Sequence, residues 1–259
     1  MAKEIHKTAI VSKKATIGKD VQIGPFCIIG DNAVIKDGTK LLSHVIIDGN
    51  TEIGENCIIY SFASIGLPPQ DLKYKGEKTG VKIGKNNIIR EYVTIHRAST
   101  GGKGITEIGD SNFLMAYVHI AHDCKIGNSV ILANAATLAG HVVVEDFAVI
   151  GGLVAVHQFT RIGAYSMVGG FSGVGQDIPP FTMASGSRAK LYGLNTIGLK
   201  RHGFSDSSIN NLKKAYKILF REKRTLKDAV KKIKSELPQT DEIIRLVEFV
   251  ESYKRGICR

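Results

Sequence analysis

The sequence predicts an all-β solenoid of short parallel strands over residues 1–180, followed by a small α-helical C-terminal domain over 181–259. Three observations carry that expectation. An aliphatic residue recurs at every sixth position through 25 hexads, with no polar residue in the marked slot. The residue after it is Gly in 12 of those 25 hexads, so a bend or a close approach falls at a constant place in the repeat. Beyond Pro179-Pro180 the six-residue period stops and helical spacing replaces it.

The repeat starts at Val11, Ile17, Ile23 and Ile29 and runs to Ile65. It resumes at Ile83, Ile89 and Ile95, and again from Ile108 to Val174. The fifth slot is small or β-branched, as at Ala15, Val21, Cys27, Ala33, Thr39, Val45, Thr51 and Cys57. Two inward slots four residues apart, with a bend between them, suit neither a helix of period 3.6 nor a flat strand of period 2. They suit a short strand and a corner, wound so that rungs stack about 4.8 Å apart. This pattern resembles the hexapeptide-repeat left-handed parallel β-helix, in which three hexads make one 18-residue coil, and the handedness comes from that resemblance. On that basis the hexads make about eight coils, roughly 40 Å long. Cys27, Cys57 and Cys124 occupy the fifth slot and read as small buried hydrophobes.

Residues 66–82 and 98–107 leave the repeat, are polar and glycine-rich, and read as loops thrown out from a coil. The solenoid is expected to end at Pro179-Pro180, since proline removes a ladder donor. Three amphipathic helices are expected after it. Ser205 caps a first bearing Ile209, Leu212, Tyr216 and Leu219; Thr225 with Asp228 opens a second bearing Leu226, Val230, Ile233 and Leu237. Pro238 stops that helix, and Thr240 begins a third with Ile243, Leu246, Val247 and Val250.

With 259 residues and 43% hydrophobic content the chain can bury a core, which excludes global disorder. No apolar run approaches the ~18 residues of a membrane span, and the first residues show no apolar core of a signal peptide, so a cytoplasmic protein is the expectation. Four Cys with no CxxC exclude a zinc ribbon and a disulfide scaffold. The net charge of +11 is unevenly placed: residues 1–180 hold 17 Lys+Arg against 16 Asp+Glu, residues 181–259 hold 18 against 8. The basic tail reads either as a solvated helical surface or as a docking surface for an acidic partner. Nucleic acid is disfavoured, because no recognition motif accompanies the charge.

A prism this narrow is filled by its own side chains, so a ligand must bind outside it, most readily in a cleft between packed copies. Five of the eight His, at 96, 119, 122, 141 and 157, fall within one stretch. If residues 18 apart stack, His122 lies under position 140 and that under 158, so His122, His141 and His157 are expected to line one edge, with Asp123 beside the first. Such a cluster suits general-base catalysis at neutral pH or zinc binding. The pair His119 and His122 lacks the four-residue separation of ligands in hexapeptide-fold carbonic anhydrases, and no metal is expected.

His119-Ile-Ala-His122-Asp123-Cys124, Leu138-Ala-Gly140-His141, Ala155-Val-His157-Gln158-Phe159 and Gln70-Asp71-Leu72-Lys73-Tyr74 resemble the UDP-N-acetylglucosamine O-acyltransferase family. The resemblance covers the whole chain, including Gly169-Gly170 through Asp177 and Gly198-Leu-Lys-Arg201. It implies transfer of an (R)-3-hydroxyacyl group from acyl carrier protein to the sugar 3-hydroxyl, opening the route to lipid A. No cofactor is implied beyond the phosphopantetheine carried by the donor, and a homotrimer with sites between subunits is. By the same match His122 is the general base, Asp123 orients its ring, and the Gly140 N–H donates to the oxyanion. Gln70, Asp71 and Lys73 hold the sugar and diphosphate. His119, His141, His157, Gln158 and Asn195 line the nucleotide-sugar pocket, and Arg201 meets phosphate or ribose. Met167, Gly170 and Arg188 face the acyl chain, with glycine at 170 resembling the long-chain members.

Ile197 stands where the family often has an acidic residue, His202 where it has a second arginine, and Arg188 where it has a histidine. Lys213, Lys214, Lys217, Arg221 and Arg224 form the cluster expected to meet acyl carrier protein. Other readings remain open at this level. Some relatives acylate a 3-amino sugar, and other hexapeptide transferases use acetyl-CoA. The later N-acyltransferase of the pathway has an added N-terminal domain, whereas here the hexads begin at Val11. A non-catalytic solenoid would need neither the histidines nor the loops.

Overall fold

A computed structural model describes residues 4–253 and 255–259. Among the described residues short strands, most of two residues, stack into sheets of eleven, nine and eight strands, parallel except for the last strand of the first, that form the three faces of a left-handed parallel β-helix. The first face carries Ile23, Leu41 and Ile59, the second Ile29, Ile47 and Ile65, and the third Ile17, Ile35 and Ile53. Registers advance by 18 residues, as in His119↔Thr137↔Ala155. The two loops lengthen the step, to 30 residues at Ile53↔Ile83 and 25 at Ile83↔Ile108.

Every marked aliphatic from Ile23 to Val174 is at most 3% exposed. Each is worth about 1.5–3 kcal/mol on burial, so the stacked column is the main favourable term of the fold. Cys27, Cys57 and Cys124 are buried as expected, and burial pushes the Cys124 thiol up to about 12.

The corners are built differently from what the glycines suggest. Nineteen non-glycine residues, among them Phe26, Asp123, His141 and Tyr165, hold φ between 53° and 68° at successive corners. That conformation is costly for an L-residue. Most of these corners recover a hydrogen bond to the adjacent rung, as in His141 N–H to His122 O at 3.0 Å and Phe159 N–H to Gly140 O at 3.1 Å. Most second-slot glycines keep negative φ; a Cβ there would meet the next rung, 2.8 Å from Leu42 O at Gly24 and 2.8 Å from Asp146 N at Gly127. Their requirement is close approach between coils, with Gly66 at φ +82° the exception.

The loops are shorter than the sequence breaks. Strands Ser64–Leu67 and Gly80–Ile83 leave 68–79 between them, and Thr94–His96 and Ile105–Ile108 leave 97–104. The β-structure also runs past Pro179-Pro180. Thr182–Ser185 adds a further parallel strand, Met183 beside Met167, and Lys190–Leu194 returns antiparallel to close the end. The prolines fit because their turn is held by Thr182 Oγ1 donating to Pro179 O at 2.7 Å.

Among the described residues four helices follow, one more than expected. The extra one, α1 (Thr196–Arg201), is a single short piece capped by Asn195 Oδ1 accepting from Gly198 N–H. Ser205 and Thr225 cap α2 (Asp206–Phe220) and α3 (Leu226–Glu236) through their side chains. Thr240 precedes α4 (Asp241–Glu251) without such a bond. Two arginines tie these helices to the prism. Arg161 spans the buried Asp177 and the C-terminal end of α4, and Arg245 Nη2 on α4 donates to Glu145 Oε2 at 3.0 Å. None of the described helices is long and apolar enough to cross a membrane.

Candidate active site

The corner between the second and third faces gathers the chemistry. Positions 18 apart form two columns there: His122, Gly140 and Gln158 in one, Asp123, His141 and Phe159 in the next. His157 falls outside both. It follows the strand Ala155–Val156, is exposed, and its Nδ1 donates to Gln158 O at 3.2 Å. The expected line of three imidazoles is therefore a pair, His122 and His141 with ring centroids 5.3 Å apart, and the third ring is Phe159, stacked on His141 at 4.5 Å. A one-residue offset in a six-residue turn is enough to point a side chain along a different direction.

His122 Nδ1 lies 2.8 Å from Asp123 Oδ2. An ionised carboxylate can only accept, so Nδ1 carries a proton, and in the neutral tautomer that this fixes, the lone pair is on Nε2. The same Oδ2 accepts from Ser99 N–H at 3.0 Å and Ser99 Oγ at 2.9 Å, and His141 Nε2 stands 3.9 Å away. The Asp123 side chain is only 2% exposed. His122, Asp123 and His141 thus bring three donor atoms within 4.8 Å of one another. Three hydrogen bonds converge on Oδ2 and fix the carboxylate.

Gly140 lies directly beneath the His122 ring. A Cβ on it would stand 2.6 Å from His122 Cε1 and 2.7 Å from Nε2. At the same slot along the third face, Lys19, Lys85, Asp110 and Asn128 each donate their N–H to a side-chain oxygen of the next rung, at 2.7–2.8 Å. The Gly140 N–H meets no such acceptor among the described residues. A free donor next to Nε2 is what a developing oxyanion requires. Gly140→Ala is expected to fold and to lose about 100-fold in kcat, because the ring must swing off Asp123. A thermal melt and steady-state rates test this; an unchanged kcat would remove Gly140 from the site.

On the neighbouring second face His119 Nδ1 meets Thr94 Oγ1 at 2.7 Å, and His96 packs edge-on to it at 5.3 Å. Burial pushes His119 below the ordinary imidazole range, and a charged His96 would lower it further. His96 is lowered by burial against the opposing bond to Pro68 O, and His141 by burial against the pull of Asp123. All three are therefore neutral at pH 7.

The 68–79 loop is anchored by His96, noted in the sequence only as one of the clustered histidines, and by Arg97, which sequence reading passed over. His96 Nδ1–H donates to Pro68 O at 2.6 Å. Arg97 donates to Gly66 O at 3.0 Å and to Tyr74 Oη at 3.1 Å. No spacing marks them, since their partners lie 23 to 31 residues away. Within the loop Asp71 Oδ1 accepts from Lys73 N–H at 2.9 Å, and Asp71 is close enough to act on His141. Gln70 and the Lys73 side chain are exposed.

The remaining expected residues lie elsewhere on the chain. Asn195 is 7% exposed, with its amide committed to Tyr165 O at 3.0 Å and to the α1 cap. That places it at the corner between the third and first faces, where His202 packs on Phe147 and Tyr165. Arg201 and Ile197 are exposed on α1. His157 and Arg188 line one cleft of about 520 Å³ with Gly173 and Ser187. Met167 lines a second of about 290 Å³ with Met183 and Tyr192 on the first face. Gly170, exposed at the corner between those faces, belongs to neither lining. One chain thus brings His122, Asp123, Gly140 and His141 together but scatters the other expected contacts.

Comparison with known proteins agrees over the whole chain. A family model described as UDP N-acetylglucosamine O-acyltransferase, domain 2, matches residues 177–258. The bacterial transferase hexapeptide model matches 8–42, 32–66 and 105–140. The acyl-[acyl-carrier-protein]–UDP-N-acetylglucosamine O-acyltransferase of Thermodesulfovibrio yellowstonii is 75% identical over 256 residues, 99% of each chain. That of Syntrophobacter fumaroxidans is 53% identical over 99% of this chain and 100% of its own. Among solved structures, a UDP-N-acetylglucosamine acyltransferase from Bacteroides fragilis superposes with TM-score 0.96 at 39% identity, covering 98% of this chain and 100% of that one. The enzyme from Francisella novicida gives 0.94 at 41%, covering 98% and 94%.

Proposed function

The chain belongs to the acyl-[acyl-carrier-protein]–UDP-N-acetylglucosamine O-acyltransferases, and from that footing we propose that it moves an (R)-3-hydroxyacyl group from acyl carrier protein to the 3-hydroxyl of UDP-N-acetylglucosamine, the first step of lipid A biosynthesis, with His122 as general base. The observation that carries the mechanism is the placement of His122 Nε2 directly over Gly140 while Nδ1 is committed to Asp123.

In this mechanism Nε2 takes the proton of the sugar 3-hydroxyl as its oxygen attacks the thioester carbonyl. The carbonyl π pair moves onto oxygen, and the Gly140 N–H donates to that oxyanion. The pair returns as the C–S bond breaks, and the imidazolium gives its proton to the departing pantetheine sulfur. Asp123 stabilises the imidazolium between these steps. No protein nucleophile is used, and the phosphopantetheine arm arrives with the donor, so no resident cofactor is called for. Asp71, Lys73 and Gln70 hold the sugar and diphosphate. Asn195 uses one amide N–H on Tyr165 O and one lone pair on the Gly198 N–H, which leaves a second N–H and a second lone pair for a nucleotide.

A homotrimer with sites between subunits completes the pocket. Its support is the unpartnered apolar surface at the corner between the first and second faces. There Phe26, His44, Phe62, Tyr92 and Tyr117 stack at 4.8–5.0 Å, with Phe26 55% and Tyr117 61% exposed. Leu72, at the tip of the 68–79 loop, is 98% exposed. Apolar faces flanking one edge suit a closed ring of identical chains, in which contacts that one chain leaves apart can come together between copies. Light scattering giving a monomer mass would reject it. A cytoplasmic location follows from the acyl carrier protein donor.

The basic docking surface is narrower than charge alone suggests. Arg221 holds Leu191 O and Tyr216 Oη, and Arg224 pairs with Glu222. Lys213, Lys214 and Lys217 remain exposed on α2. Reversing those three to Glu is expected to raise KM for acyl carrier protein at least tenfold at low salt, with kcat nearly intact. An unchanged KM would move the docking surface elsewhere. The acceptor and donor are tested by offering UDP-N-acetylglucosamine and its 3-amino analogue to a panel of 3-hydroxyacyl carrier proteins, with a chelator present. Ester formation on the hydroxyl sugar is expected. Turnover of the amino sugar alone would change the acceptor, and loss of rate on chelation would reopen a metal role.

A further inference from the structure

We propose that Ser99 is a positioning residue for acyl transfer: it donates from both its N–H and its Oγ to the carboxylate oxygen that receives the His122 Nδ1–H, and so sets the orientation of the base. The inference rests on His122 being the base. Ser99 is 3% exposed and lies in the 97–104 loop, 24 residues before Asp123. Its two bonds, 3.0 and 2.9 Å, and the His122 bond of 2.8 Å all end on Asp123 Oδ2. The other oxygen, Oδ1, has no hydrogen-bond partner and is packed against Gly102 of the same loop. All the polar restraint on this carboxylate therefore falls on one atom.

Without Ser99 Oγ the carboxylate keeps only the Ser99 N–H from this loop. Its plane can then turn partway about χ2, moving Oδ2 out of line with the Nδ1–H and tilting the ring against Gly140, where a Cβ would already stand 2.6 Å from Cε1. Charge-assisted bonds to a buried carboxylate are strong and directional, so two donors from one residue make an effective clamp. The same segment carries His96 and Arg97, which tie down the 68–79 loop. Four consecutive residues thus connect the sugar-holding loop to the orientation of the base.

The test compares Ser99→Ala, Ser99→Thr and His122→Ala with the full-length enzyme, reading kcat, KM for UDP-N-acetylglucosamine, the melting midpoint and the proton resonance of the His122 Nδ1–H. Ser99→Ala is expected to lower kcat about tenfold with KM and the midpoint unchanged and the Nδ1–H resonance displaced, while Ser99→Thr restores both rate and resonance. If Ser99→Ala unfolds, Ser99→Cys, nearly isosteric but a weak donor, replaces it. Wild-type kcat in Ser99→Ala overturns the inference, as does a loss that tracks the midpoint and is not restored by threonine. Should His122→Ala keep its activity, the general-base reading fails and Ser99 with it; should only His122→Ala be impaired, the Ser99 assignment alone fails.

Discussion

Replacing His122 by alanine is expected to lower kcat by about 10²–10⁴-fold while leaving KM for the UDP-sugar and the melting midpoint near their wild-type values. The proton moves only as the hydroxyl attacks, so the interaction exists in the transition state and not in the ground state. The ring sits over Gly140 at the outer corner, and its side chain is 18% exposed, so its loss opens no cavity in the aliphatic column. A residual rate above background is expected to survive, because the Gly140 N–H and the sugar-holding loop remain. Asp123→Asn provides the companion measurement. The Ser99 N–H can only donate, so the amide oxygen takes the Oδ2 place and still accepts from Nδ1–H, but the imidazolium loses its counter-charge and kcat falls without loss of the imidazole. Steady-state kinetics at pH 7 to 8 checks both. Wild-type kcat in His122→Ala would remove the general base from this site.

The second large effect is on stability. Arg161→Ala is expected to cost about 3 kcal/mol, the low end for breaking a buried ion pair because the Arg161 side chain is 22% exposed. In a chain of this size that lowers the melting midpoint by about 6 to 10 °C. Arg161 Nε donates to Asp177 Oδ2 at 2.9 Å, Nη2 to Phe249 O at 2.9 Å and Nη1 to Ser252 Oγ at 3.1 Å, and its guanidinium lies 4.1 Å from the centre of the Phe249 ring. Removing it leaves Asp177, itself 0% exposed, with a buried charge and detaches the end of α4 from the prism. Arg161→Lys keeps the charge but not the fork, and is expected to fall between the two. Circular dichroism melts decide the matter. A midpoint within about 1 °C of wild type would mean that other contacts, such as Arg245 with Glu145, dock the helices.

Much of the architecture was legible because its period is short. A hexad places Ile120, Leu138 and Val156 over one another whatever the rest of the chain does, and the caps at Ser205 and Thr225 are local. The bonds of the site are long-range. Ser99 to Asp123, His96 to Pro68 and Arg97 to Gly66 span 24 to 31 residues, across loops that interrupt the very pattern that made the remainder readable. The corner conformation was hidden for another reason. Phe, Tyr, His and Asp accept positive φ there because the rung beneath holds their N–H, a tertiary payment that no residue type advertises.

By itself the sequence determined the solenoid and its aliphatic filling, since both depend on spacing within a single coil. Only the tertiary structure decided which histidines meet. It set His141 against Phe159 in place of His157, put Asn195 on a helix cap, carried the sheet past Pro180 and fastened the tail through Arg161. Those outcomes turn on one-residue offsets and on partners far along the chain, where direction in space, not position in the repeat, determines contact.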